Sequence, residues 1–137
     1  VPSAAMMCAM SPFFVSLSKY LLVGGANTAL IWGGVYVFSV LAQLPNAVAV
    51  TCAYGLSICF HFLTNRSFTF SSSGVIHMEF KRYMALFVTN YLLTLGITHM
   101  ATDVLHLSLA LGVFASTVVT VPIGYLASYF WVYEVQQ

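Results

Sequence analysis

FLTNRSFTF, Phe62 to Phe70, is the stretch on which the reading of this chain turns. An apolar run ends in it, Asn65 and Arg66 close the run, and Phe68 and Phe70 follow at a spacing of two. Arginine is costly in hydrocarbon, so an arginine that closes an apolar segment marks the level where hydrocarbon meets water. Aromatic rings favour that level as well. The stretch therefore predicts the end of a membrane-spanning helix.

Composition carries that reading to the whole chain. A soluble domain has roughly a quarter of its residues charged. Here 137 residues are 5% charged and 61% hydrophobic, with a mean hydropathy of +0.94. Such a chain has too few charges to cover a surface facing water, so an integral membrane protein is expected. Its length has room for about four spans of about twenty residues each. The net charge of +1 gives no support to a nucleic-acid partner.

Four apolar runs fill that room: roughly Tyr20–Leu41, Ala47–Thr64, Tyr83–Thr102 and Leu107–Trp131. Backbone groups cannot stay unpaired in lipid, so runs of this length are expected to be helices. The expected fold class is an all-α integral membrane protein of four transmembrane helices. Residues 1–18 read as an interfacial or disordered lead-in, 19–133 as one membrane domain and 134–137 as a tail. No basic stretch precedes the first apolar residues, so no ordinary signal peptide is expected. The segment SSSGVIHMEFKR, Ser71–Arg82, reads as a flexible loop that leads into the third span.

Charge placement orients the spans. Lys19 precedes the first, and Arg66, Lys81 and Arg82 lie between the second and third. The other two connections carry no lysine or arginine. By the positive-inside rule both termini are expected to be cytoplasmic.

Residues 19–70 align over 82–133 without a gap, at an offset of 63. Identity is about eight in fifty, clustered at helix starts and ends. KYLLVGGAN (19–27) falls on RYMALFVTN (82–90), which places Asn27 on Asn90. Small residues recur at every fourth position in Gly112, Ser116, Thr120, Gly124 and Ser128. The same offset gives Ala49, Ala53, Ser57, His61 and Asn65, and a shorter row runs Gly25, Ala29, Gly33. Such rows are ridges for close helix packing. The halves are expected to form a tandem two-helix parallel repeat. Pro122 is expected to kink the fourth helix, with the freed carbonyl near Val118 relieved by Thr117 or water.

KYLLVGGANT (19–28), LTNRSFTF (63–70), FKRYMALFVTN (80–90) and YFWVY (129–133) together resemble the GtrA family of small four-helix bacterial membrane proteins. The resemblance implies translocation of a polyprenyl-phosphate-linked sugar, such as undecaprenyl-phosphate glucose, from the inner to the outer leaflet of the bacterial plasma membrane. There a separate membrane glycosyltransferase would use it for cell-surface polysaccharide. One departure stands out: family members often repeat an Asn-Arg-like pair at the end of the last span, where this chain has Ser128 and Tyr129.

The residues themselves support an anion-binding role. Arg66 can hold a phosphate bidentately, and Lys81 and Arg82 add charge nearby. Asn65 adjoins Arg66. Asn27 and Asn90 sit about two turns into their helices, where amides can meet sugar hydroxyls. Alternatives stand beside these assignments: the cations hold topology whether or not they bind, and the amides can bond between helices. His99 and Asp103, one turn apart, can pair.

Catalysis finds no support. Glu79, Asp103 and Glu134 lie in separate segments, and no Gly-rich phosphate loop is present. Cys8, Cys52 and Cys59 show no pairing logic and read as small packing residues. The four histidines lie in four segments, so neither a metal nor another cofactor is expected. Expected partners are the lipid-linked sugar, membrane lipids, a glycosyltransferase and a second copy of the chain. Two other roles remain at this stage: a non-transporting anchor that recruits a glycosyltransferase, and a proton-coupled exporter. The exporter needs a carboxylate in the first span, which has none.

Overall fold

The computed structural model describes residues 4–134, with side chains from residue 12 onward. The start of the lead-in, the side chain of Cys8 and tail residues 135–137 lie outside the described residues. Four helices run α1 Ala4–Tyr36, α2 Asn46–Thr64, α3 Ile76–His99 and α4 Leu109–Ala127. Among the described residues there is no strand. The apolar spans are Pro12–Leu41, Asn46–Thr69, Ile76–Val104 and Leu109–Val132. The shortest has 24 residues, a rise of about 36 Å against a hydrocarbon core of about 30 Å. The chain is an all-α, four-span membrane protein.

The chain divides between Ser71 and Ser72 into two units. Each is a helical hairpin, α1 with α2 and α3 with α4. Their internal geometry recurs at an offset of 63. Each helix widens at its C-terminal end into five residues of π-helix: Val37–Leu41, Asn65–Thr69, Met100–Val104 and Ser128–Val132. At the hairpin tips Ala42 N–H bonds the Val37 carbonyl at 2.9 Å, and Leu105 N–H bonds that of Met100 at 3.0 Å. At the other ends Phe70 bonds Asn65 at 2.9 Å and Tyr133 bonds Ser128 at 3.1 Å. The last carbonyls of a helix have no partner inside it. In apolar surroundings that is costly, and the wide turns supply the partner from the chain itself. Gln43 and His106, one in each tip, both take φ 53°.

In the middle of each hairpin, small residues line the seam and many large ones face outward. Ala49, Ala53 and Ser57 of α2 are buried, as are Gly112, Ser116 and Gly124 of α4. Trp32, Leu22, Phe114 and Phe130 are all exposed. This inverts the soluble pattern because lipid tails solvate large apolar side chains, leaving close backbone approach to hold helices together. A Cβ built on Gly34 of α1 would lie 3.2 Å from Ala53 Cβ. One built on Gly112 of α4 would lie 3.3 Å from Ala101 Cβ. The third row behaves differently: Gly25, Ala29 and Gly33 are exposed.

Overpacking such a seam forces the helices apart. Ala53→Leu is expected to destabilise the protein by about 1–3 kcal/mol, visible as a lower melting temperature in detergent. Cys52→Leu, at the exposed neighbour, is expected to melt like the wild type. Equal melting of the two variants would show that the Ala53 seam is not tight.

Four sequence expectations change. Helix α1 begins at Ala4 and runs through Pro12, so the described lead-in is helical and continuous with the first span. The loop is shorter than Ser71–Arg82 because α3 begins at Ile76, placing Glu79, Lys81 and Arg82 on its first two turns. The Thr117 hydroxyl donates to the Val113 carbonyl at 2.8 Å, so it does not serve Val118. Cys52 and Cys59 are exposed, and the packing is done by the Ala49 row instead.

Candidate functional site

The predicted site residues fall into two groups, one at the open end of each hairpin, where the chain enters and leaves it. In the first hairpin, antiparallel packing returns the end of α2 to the level of Lys19. The Lys19 ammonium stands 5.0 Å from the centre of the Phe68 ring, a cation–π contact that holds a charge at the edge of the apolar zone. Tyr20 packs against His61 at 6.0 Å and Phe70 at 6.3 Å between ring centres. Beneath them Asn65 is 1% exposed. Its carbonyl oxygen accepts from the Thr69 hydroxyl at 2.8 Å. Its amide nitrogen lies 3.2–3.3 Å from both ring nitrogens of His61. The Asn65 amide is thus engaged inside the hairpin, fixing the π-turn that carries Arg66. The Arg66 side chain is half-buried, at a helix end where the carbonyl dipoles favour a cation.

The second hairpin builds its open end differently. Arg82 donates to the Trp131 carbonyl at 3.3 Å and stands 3.9 Å from the Glu134 carboxylate. That ion pair is partly exposed, so its own contribution to stability is small. Lys81 is exposed beside it. Glu79, one turn earlier on α3, is 0% exposed. Its Oε1 accepts from the Ser72 hydroxyl and from the Glu134 backbone N–H, the latter at 3.1 Å. Ser72 in turn accepts from Glu134 N–H at 3.0 Å and Gly74 N–H at 3.2 Å.

The two asparagines lie deeper. The Ser57 hydroxyl donates to Asn27 Oδ1 at 2.9 Å across the α1–α2 seam. In the other hairpin the equivalent positions are Asn90 and Thr120, but the Thr120 hydroxyl turns back to the Ser116 carbonyl of its own helix at 2.9 Å. Asn90 Oδ1 is enclosed and has no hydrogen-bond partner. Each amide follows a cation of its own helix by eight residues, Asn27 after Lys19 and Asn90 after Arg82, about 12 Å along the axis. At the far end of α3, His99 and Asp103 pair at 2.6 Å.

The Glu79 constellation is what sequence reasoning missed. It joins Ser72, Gly74, Glu79 and Glu134, so two carboxylates read as unrelated share one end of a hairpin. The only signal was Glu79 itself, an acid on a mostly apolar stretch in a chain with three acids.

Two helical hairpins with small-residue seams, cations at their open ends and amides inside define a small polytopic membrane protein. The chain belongs to the GtrA/DPMS transmembrane-domain family, whose profile matches residues 19–133. That family supports a general role for its members in translocating polyprenyl-phosphate-linked sugars. No curated protein and no solved structure matches the chain.

Proposed function

We propose that this protein carries a polyprenyl-phosphate-linked sugar, of the undecaprenyl-phosphate glucose type, from the inner to the outer leaflet of a bacterial plasma membrane. The sugar then serves a glycosyltransferase acting on cell-surface polysaccharide. The observation that carries the reading is the pairing, on one helix of each hairpin, of a cation with an amide about 12 Å deeper. A lipid-linked sugar has the matching order. Its phosphate belongs at the headgroup level, where Lys19, Arg66, Lys81 and Arg82 supply charge, and its sugar hydroxyls suit amides.

Orientation with both termini in the cytoplasm places those cations where the substrate is made. The polyprenyl tail needs no path, being at home in lipid already. A bare charge in the membrane centre costs at least about 3 kcal/mol, so polar side chains must accompany the head. No bond is made or broken in this step. It runs downhill, pulled by use of the sugar outside.

A leaflet assay tests it. Purified protein in liposomes is expected to expose labelled undecaprenyl-phosphate glucose to an external reagent several times faster than empty liposomes do. Equal rates would refute translocation. They would favour the anchoring role instead, which co-purification of a glycosyltransferase with the chain would then establish.

A further inference from the structure

The two hairpins share a backbone plan but not a seam chemistry. On α3, Asn90, Thr94 and Thr98 follow one another at every fourth residue, all half-buried. The contact of Gly112 with Thr98, where a Cβ would meet the Thr98 carbonyl at 3.4 Å, sets the antiparallel register with α4. Thr94 then lies level with Ser116, and Asn90 with Thr120. The corresponding α1 residues are Asn27, Ile31 and Val35, level with Ser57, Ala53 and Ala49 of α2. At these three levels the first seam thus holds one polar pair, closed by the bond from Ser57 to Asn27, and is otherwise apolar.

The second seam has a polar residue at each of these levels and leaves bonds unmade. Ser116 and Thr120 both donate to carbonyls of their own helix, at 2.8 and 2.9 Å. Asn90 Oδ1 and Thr98 Oγ1 are enclosed without a partner. Other span hydroxyls, such as Thr28, Thr51, Thr89 and Thr102, are satisfied by a carbonyl four residues back. An unsatisfied buried group costs about 1–3 kcal/mol. Valine at position 98 would have avoided that cost.

We propose that the α3–α4 seam, and not the α1–α2 seam, is the track along which the hydroxyl-bearing head of a glycosyl lipid crosses the membrane. The inference rests on the translocation reading and says which surface performs it. The vacant groups match hydroxyls: Asn90 Oδ1 accepts a donor, and Thr98 Oγ1 donates or accepts. A phosphate, which only accepts, finds no complement in Asn90 Oδ1, so it is the sugar hydroxyls that these groups recognise. In the resting seam the hydroxyls of Ser116 and Thr120 are parked on their own backbone, from which rotation about χ1 releases them to a passing sugar.

Translocation and thiol labelling of the full chain in liposomes test the track, with melting in detergent as the check on folding. With undecaprenyl-phosphate glucose as probe, the double variant Thr94→Val/Thr98→Val is expected to translocate at least about tenfold more slowly, the equivalent of one lost hydrogen bond. Its melting temperature in detergent should equal or exceed that of the wild type, because an unsatisfied polar group has been removed. Thr117→Val, exposed on α4, should leave the rate unchanged. In a variant without native cysteines, a water-soluble thiol reagent is expected to label Thr94→Cys at least several times faster than Ile31→Cys. A double variant as fast as the wild type, or equal labelling at the two positions, overturns the track alone. Wild-type protein no faster than empty liposomes overturns translocation, and the track with it.

Discussion

Arg66→Ala is expected to lower translocation by about ten- to a hundredfold while leaving insertion into the membrane intact. The magnitude follows from the bond at stake. A hydrogen bond to a charged group is worth about 1.5–3 kcal/mol, and each 1.4 kcal/mol is a factor of ten. Arginine offers a phosphate two parallel donors in a fixed plane, which neither lysine nor a topology signal requires. Insertion should survive because Lys19, Lys81 and Arg82 still mark the same ends of their spans. Folding should survive because the π-turn holding Arg66 is fixed from below by Asn65 and Thr69. Arg66→Lys separates the roles. If the guanidinium fork matters, lysine recovers only part of the rate; if charge alone matters, it recovers all of it. Leaflet assays and protease mapping of topology on the three proteins give the answer. Full activity in Arg66→Ala would leave this residue as an orientation signal only.

Sequence reading succeeded where the membrane imposes a rule on composition. Hydrocarbon requires about twenty apolar residues per crossing, so four runs meant four helices. Close helix approach requires small side chains at every fourth residue, so Ala49–Ser57 and Gly112–Gly124 were legible as packing rows. Helix ends were less legible. Hydropathy reports where hydrocarbon stops, whereas a helix continues while its backbone bonds are satisfied. Glu79, Lys81 and Arg82 interrupt the apolar run without interrupting α3, and the Pro12 region does the same for α1. The π-turns were invisible because they depend on which carbonyl each N–H selects, a choice not written in residue type.

The candidate site divides along the same line. Arg66 and Asn65 were conspicuous because polar residues are rare in this chain. Their difference was not: one is half-buried at the helix end, the other fully buried and bonded on both sides of its amide. Nor does residue type show that Asn27 and Asn90, equivalent by offset, have opposite hydrogen-bond states. That follows from the rotamers of Ser57 and Thr120. Similarly, Glu79 and Glu134 are 55 residues apart and meet only because α4 returns to the start of α3.

That meeting supports the largest stability effect to be expected from a single substitution. Glu79 is 0% exposed and ties the loop before α3 to the segment after α4, through the Ser72 hydroxyl and the Glu134 N–H. Removing it deletes two hydrogen bonds made to a buried carboxyl oxygen and empties the space its side chain fills. Part of this is recovered because Ser72 and Glu134 are accessible enough to take water instead. Glu79→Ala is therefore expected to destabilise the second hairpin by about 2–4 kcal/mol, with the segment 132–134 becoming open to protease first. Glu79→Gln keeps an acceptor for both donors and nearly the same volume, so a smaller loss is expected. Gly74 gives an independent check on the same clasp. A Cβ there would lie 2.5 Å from Glu79 Oε1 and 3.1 Å from Glu134 Cβ and Cδ. Glu79 is enclosed and Glu134 Cβ is fixed to its backbone, so neither clears the space by rotation, and Gly74→Ala should lower the melting temperature in the same direction. In the first hairpin the place of Glu79 is taken by Ser16, and the open end is closed by Tyr20, His61 and Phe70 instead. Ser16→Ala should accordingly have no effect. Melting in detergent and limited proteolysis of the four variants decide the matter, and wild-type behaviour of Glu79→Ala would show that the buried carboxylate holds nothing together.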